Sequence, residues 1–269
     1  MSICFIGGGN MATALIGGML KRGHSAGKIR VVEINPDARV RLHEEFGVRA
    51  VAAVAEGVAH SRVIVLAVKP QQLRSIATEI APALDGQLII SIAAGIRAID
   101  LARWLGTQNI VRAMPNTPAL VRRGMTGLYA LPQVAENQRE QAENILAAVG
   151  HTLWLTDETL MDGVTAISGS GPAYVFYFIE AMQQAARELG FDADAARRLT
   201  LDTFIGAAKL AESSHEDVSV LRARVTSKNG TTERALLSMD AASVKAGIVA
   251  AAHAAAQRSR ELGDELGRD

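Results

Sequence analysis

Residues 2–12 read SICFIGGGNMA, and the order of parts in this stretch decides the fold. Ile3, Cys4, Phe5 and Ile6 form a short apolar run, Gly7, Gly8 and Gly9 follow, and a helix-forming run occupies residues 11–20. Strand, glycine turn and helix in that order build a phosphate cradle. Gly7 permits the tight turn, Gly9 lets a pyrophosphate approach the backbone, and Ala12 keeps helix and strand close. The helix start adds unpaired N–H groups and the positive end of a dipole. A glycine triplet can also be an ordinary turn. Placed directly after a first strand it favours a dinucleotide site, with Gly7, Gly8, Gly9, Asn10, Met11 and Ala12 against the cofactor.

Outward from this stretch, strand and helix alternate. Residues 28–34 (KIRVVEI) read as a second strand, with Glu33 about twenty residues past the glycine turn. An acidic side chain there accepts hydrogen bonds from an adenosine ribose diol and repels a ribose 2′-phosphate. Alternatively it is an exposed strand-end charge. Asn35 stands beside it, and Arg39 and Arg41 are near enough in sequence to attract a phosphate, which leaves NAD and NADP both open. Residues 36–46 read as a helix and 48–51 as a strand. Residues 62–68 (RVIVLAV) are a β-branched run of the kind a parallel strand buried on both faces requires. Residues 87–91 and 110–113 predict two further strands. The alternation specifies an α/β fold with a doubly wound parallel sheet, which binds ligands at the carboxyl ends of its strands. The segments at those ends are Ala67, Val68, Lys69 and Pro70, then Ala94 and Gly95, whose small residues leave room for ribose and nicotinamide. The third is the rigid MPNTP loop, in which Asn116 suits a carboxamide or a polar substrate group, or serves only the turn. Strands at 127–131 and 152–155, flanking a helix over 134–149, are expected to extend the sheet.

The composition excludes several classes. Twenty-eight basic residues balance twenty-eight acidic ones, which offers no footprint for nucleic acid or an anionic membrane surface. Mean hydropathy is +0.15, yet no uninterrupted apolar segment has the length of a membrane span, and the first residues do not read as a signal peptide. Cys4 is the lone cysteine and reads as a small buried hydrophobe. The six histidines have no metal-ligand spacing, so no metal is expected, and the location read from these features is cytoplasmic.

After residue 156 the strands stop, and alanine-rich helical periodicity runs almost to the end. The expected division is 1–156 for a dinucleotide-binding domain and 157–269 for a helical one. Two motifs interrupt the helices. Residues 168–172 (SGSGP) read as the opening of a helix over 173–189, with Ser168 and its neighbours capping and spare donors left for an anion. Residues 225–232 (VTSKNGTT) read as a second anion nest at a helix start. One nest in each interruption favours a carboxylate ligand.

Six stretches taken together resemble the pyrroline-5-carboxylate reductase family over nearly the whole chain. They are FIGGGNMA, AVKPQ from Ala67, SIAAGI from Ser91, RAMPNTPA from Arg112, SGSGPAY from Ser168 and VTSKNGTTE from Val225. Lys228 departs from the family pattern, which usually has proline there, and Val54 stands where an asparagine is frequent. The resemblance implies a Rossmann-type domain followed by an all-α dimerisation domain, with homodimers that can assemble into a larger ring. It implies hydride transfer from NADPH or NADH to the C=N carbon of Δ1-pyrroline-5-carboxylate, giving proline. On the residues it assigns Ser168, Ser227, Asn229, Gly230, Thr231 and Thr232 to the substrate, with Thr232 and Thr165 near the ring nitrogen. Two other readings compete. A hydroxyacid dehydrogenase would place a lysine on the helix after the boundary, and residues 165–182 hold none. A non-catalytic nucleotide sensor would need no anion nest in the helical half.

Overall fold

A computed structural model describes residues 1–268. It contains eight strands: β1 (Ile3–Ile6), β2 (Ile29–Val32), β3 (Arg49–Val51), β4 (Val63–Leu66), β5 (Leu88–Ser91), β6 (Ile110–Met114), β7 (Gly124–Ala130) and β8 (Gly150–Trp154). The helices of the same half are α1 (Asn10–Lys21), α2 (Pro36–Phe46), α3 (Val54–Val58), α4 (Pro70–Ile80), α5 (Ala98–Leu105), α6 (Glu136–Leu146) and α7 (Met161–Val164). Beyond them run α8 (Gly171–Glu188), α9 (Ala193–Ser213), α10 (Val218–Arg224), α11 (Thr231–Ala241) and α12 (Val244–Leu266).

The strands form one sheet in the order β3-β2-β1-β4-β5-β6-β7-β8. From β1 the chain moves outward one way through β2 and β3, then returns to the other side of β1 for β4, β5 and β6, all parallel. The strand order therefore reverses between β1 and β4, and the loops leaving those two strands face a common crevice. The extension is not wholly parallel: β7 runs antiparallel to β6, and β8 follows β7. The physical reason is the connection. The MPNTP loop and a short 3-10 turn reverse the chain at once, without the helical crossover a parallel neighbour requires.

Every residue of β1, β4 and β5 is buried, which explains their unbroken apolar runs. With aromatic residues at 4%, the core is Ile, Val, Leu and Ala around Phe5, each fully buried large side chain contributing about 1.5–3 kcal/mol. Two helix starts follow directly from sequence. Asn35 caps α2, its Oδ1 accepting from the Asp37 and Ala38 N–H groups, with Pro36 in the first helical position. Pro70 opens α4 in the same way, where its missing N–H costs nothing.

The chain forms two compact units. One comprises Met1–Ser170 together with the residues from Ala255 onward, and the other is Gly171–Ala254. The break in compactness thus falls after Ser170, and the last part of α12 packs with the sheet-containing unit, where Arg103 donates to the Gly267 carbonyl at 2.6 Å. The second unit has little core of its own: of its described residues, only Ala196 and Thr200 are buried. Phe176 and Tyr177 are 64% and 72% exposed, with Val175, Met182, Ile205 and Leu237 also open. Helices this apolar on the outside need a covering surface. No single helix among the described residues is long and apolar enough to cross a membrane.

Candidate functional site

The crevice at the strand reversal is built around Gly7. Its φ of +100° is open to glycine alone, and an added Cβ would lie 2.7 Å from the Ala67 carbonyl oxygen. The close approach is fixed by the ladder, since the Gly7 N–H donates to Val32 O and the Ala67 N–H to Ile6 O, both at 2.8 Å. A Cβ on Gly9 would meet nothing within 4 Å, so space lies over the start of α1. That start has no side-chain cap and no acidic residue in its first turn. A helix N-terminus left open and uncharged in this way fits a pyrophosphate. Asn10 is exposed, Met11 half-buried and Ala12 buried against the sheet.

Glu33 is tied into the same loop. Its Oε2 accepts from the Gly8 N–H and its Oε1 from the Asn35 N–H, each at 2.9 Å. The carboxylate therefore braces the glycine turn as well as closing the β2 end, and Asn35 spends its own side-chain oxygen on the α2 cap. Arg39 is anchored too, with Nη1 donating to the carbonyls of Glu33 (2.8 Å) and Ile34 (2.9 Å), while Arg41 is exposed. Ala67, Val68 and Pro70 are half-buried along the rim and Lys69 is exposed. Ala94 is half-buried, and Gly95 takes a φ of +79°.

The reading of 168–172 as the opening of a helix agrees with α8, which begins at Gly171 and has Pro172 as its second residue. A π-helical turn over Thr165–Gly169 precedes it. The Ser170 N–H donates to the Thr165 carbonyl at 2.8 Å, closing the wide turn. Asn116 reaches the same turn: its Nδ2 donates to the carbonyl and the hydroxyl of Ser168, both at 3.1 Å, and its Oδ1 accepts from the Met125 N–H at 2.9 Å. The Thr165 hydroxyl donates to the Met161 carbonyl at 2.9 Å, which leaves its lone pairs free to accept. π turns are frequent at functional sites.

Sequence reading missed the ion pair that ties β6 to this segment. Arg112 Nη1 meets Glu158 Oε1 at 2.8 Å, the arginine side chain being 5% exposed, and the same oxygen accepts from the Ala98 N–H at 2.7 Å. An arginine within an otherwise apolar strand was the available signal. Burial pushes the Cys4 thiol up to about 12 despite the Arg30 charge, so it stays protonated and inert. Among the described residues no group of His, Cys, Asp and Glu could hold a metal ion.

In the second unit the 225–232 motif does precede a helix. Gly230 is the N-cap of α11, with no side-chain cap. The Asn229 N–H donates to Glu233 Oε2 at 2.7 Å, and the Gly230 N–H to the Ser227 carbonyl at 3.0 Å. Asn229 itself sits in the left-handed region, φ +59°. Ser227, Lys228 and Thr231 are exposed and Thr232 is half-buried.

Residues 158–262 match the family model for pyrroline-5-carboxylate reductase dimerisation, and residues 2–95 the model for NADP oxidoreductase, coenzyme F420-dependent. The pyrroline-5-carboxylate reductase of Pseudomonas aeruginosa is 49% identical over 268 residues, covering 99% of this chain and 98% of that protein. The chain belongs to the pyrroline-5-carboxylate reductase family. It is thereby an NAD(P)-dependent oxidoreductase of the CH–NH class, and its dimerisation region makes it oligomeric. Among solved structures, a pyrroline-5-carboxylate reductase from Coxiella burnetii superposes with a TM-score of 0.92 at 39% identity, covering 97% of this chain and 98% of the other. The pyrroline carboxylate reductase of Plasmodium falciparum, solved with NADP bound, gives 0.89 at 29% identity, covering 98% of each.

Proposed function

We propose that this chain carries out the last step of proline biosynthesis, reducing Δ1-pyrroline-5-carboxylate to L-proline with NADPH or NADH. The observation that carries the reading is full-length identity of 49% to a reductase of that name, on a chain whose glycine turn is open for a pyrophosphate. When bound, the reduced nicotinamide supplies a hydride to the imine carbon. The nitrogen takes a proton, and a cyclic imine can take it from solvent, so positioning matters more than a strong built-in acid.

Gly7, Gly8, Gly9, Asn10, Met11 and Ala12 hold the pyrophosphate, with Glu33 and Asn35 at the adenosine ribose. Ala67 to Pro70, Ala94 and Gly95 line the path toward the nicotinamide. Ser227, Asn229, Gly230, Thr231 and Thr232 grip the carboxylate, where aimed donors in a dry site contribute a few kcal/mol. Thr165, whose hydroxyl proton is already committed, and Thr232 hold a proton-donating water near the ring nitrogen. The boundary between cofactor and substrate domains lies at 156/157, supported by a dimerisation model that begins at 158. The protein works as a homodimer, with a ring of dimers as the larger assembly, in the cytoplasm.

The test is oxidation of NADPH and NADH in parallel with pyrroline-5-carboxylate. Turnover is expected with both, and the ratio of kcat/KM values reports how far Glu33 reads the ribose. Folded, cofactor-binding protein that is silent with both would refute the assignment. Thr232→Ala is expected to raise KM and lower kcat while cofactor binding persists. A kcat/KM within about twofold of the parent, less than half a kcal/mol of transition-state binding, would remove Thr232 from the site.

A further inference from the structure

The loop after β6 and the π turn lie 52 residues apart in sequence, yet they are one device. The chain winds wide through residues 165–169, and the last carbonyls of such a turn need donors from outside it. The Asn116 carboxamide supplies one, donating to the Ser168 carbonyl at 3.1 Å. Its other N–H goes to the Ser168 hydroxyl at 3.1 Å. The Met125 N–H, donating at 2.9 Å, fixes which side-chain atom of Asn116 is the oxygen. Gly169 seats against the same loop, since an added Cβ would come within 2.5 Å of Met114 Cε.

We infer that Asn116 is a positioning residue of the reductase site: it supplies the donor that the Ser168 carbonyl needs at the end of the π turn, holds that turn, and so fixes Thr165 and Ser168. Both N–H groups of its carboxamide are spent inside the protein, so it acts through Ser168 and not by donating to a cofactor. The inference rests on the catalytic reading of Thr165 given above.

Asn116→Asp keeps the oxygen for Met125 and loses both donors. It is expected to lower kcat about ten- to a hundredfold, the scale of an ångström of misplacement, while NADPH affinity measured by fluorescence is unchanged. In the same variant the Ser170 amide, which closes the turn, is expected to exchange with deuterium faster than in the parent. Ser168→Ala, which removes only the hydroxyl contact, is expected to fold normally and give a smaller exchange change in the same direction. Weaker NADPH binding with kcat unchanged would overturn the inference, as would unchanged Ser170 exchange. Should the protein lack pyrroline-5-carboxylate turnover altogether, the exchange and cofactor-binding measurements still decide whether Asn116 holds the turn.

Discussion

Glu158→Ala probes the joint between the sheet and the segment that carries Thr165. Glu158 Oε1 holds two buried partners, the Arg112 guanidinium at 2.8 Å and the Ala98 N–H at 2.7 Å. With only 5% of the arginine side chain exposed, water cannot replace the lost carboxylate. Removing one partner of such a pair costs about 3–5 kcal/mol, chiefly because it strands the other charge. That is a large share of the roughly 5–15 kcal/mol that stabilises an ordinary domain. At a urea m-value of about 3 kcal/mol/M it lowers the unfolding midpoint by about 1–1.7 M. Glu158→Gln, which retains an oxygen for the two donors but no charge, is expected to fall between parent and Ala. Replacing both partners with apolar residues, Arg112→Met with Glu158→Leu, is expected to recover most of the loss, since neither member is then left uncompensated. The measurements are made at one protein concentration, because the midpoint of an oligomer moves with concentration. A Glu158→Ala midpoint within about 0.2 M of the parent, under 1 kcal/mol at that slope, would refute the reasoning.

Two further outcomes follow from burial. Phe176 is 64% exposed on α8, which leaves roughly 130 Å² of its side chain to be covered and about 3 kcal/mol at stake in each protomer. Phe176→Glu is therefore expected to turn dimers into monomers in sedimentation equilibrium, and an unchanged dimer would place the interface elsewhere. Cys4 concerns pH: burial raises the thiol from 9.0 to about 12, with the Arg30 charge acting the other way. Its stabilising effect is full below pH 9 and declines between 9 and about 12, as the unfolded thiol ionises and the folded one does not. The fall in urea midpoint between pH 8 and about 10.5 should accordingly be smaller in Cys4→Ala, and an equal fall in both would show that Cys4 does not contribute.

The parts of the fold legible in sequence were those fixed by local chemistry. Glycine after a buried strand, proline at a helix start and unbroken β-branched runs act within a few residues, and the structure has β1, β4 and α4 where those signals stand. The direction of β7 was not legible, because it depends on whether the 115–123 loop crosses over the sheet or turns back, and both begin with the same residues. Glu33 illustrates a subtler limit. Its position after β2 is a sequence fact, but its two hydrogen bonds to backbone N–H groups depend on the glycine turn folding against the neighbouring strand. The SGSGP segment was legible in part. Ser, Gly and Pro are the residues of a helix start, and α8 begins at Gly171 with Pro172 second. The π turn just before it was not legible, because the donor to its Ser168 carbonyl comes from an asparagine 52 residues earlier. A segment that departs from the regular helix while a distant side chain holds it is where a functional constraint is to be sought.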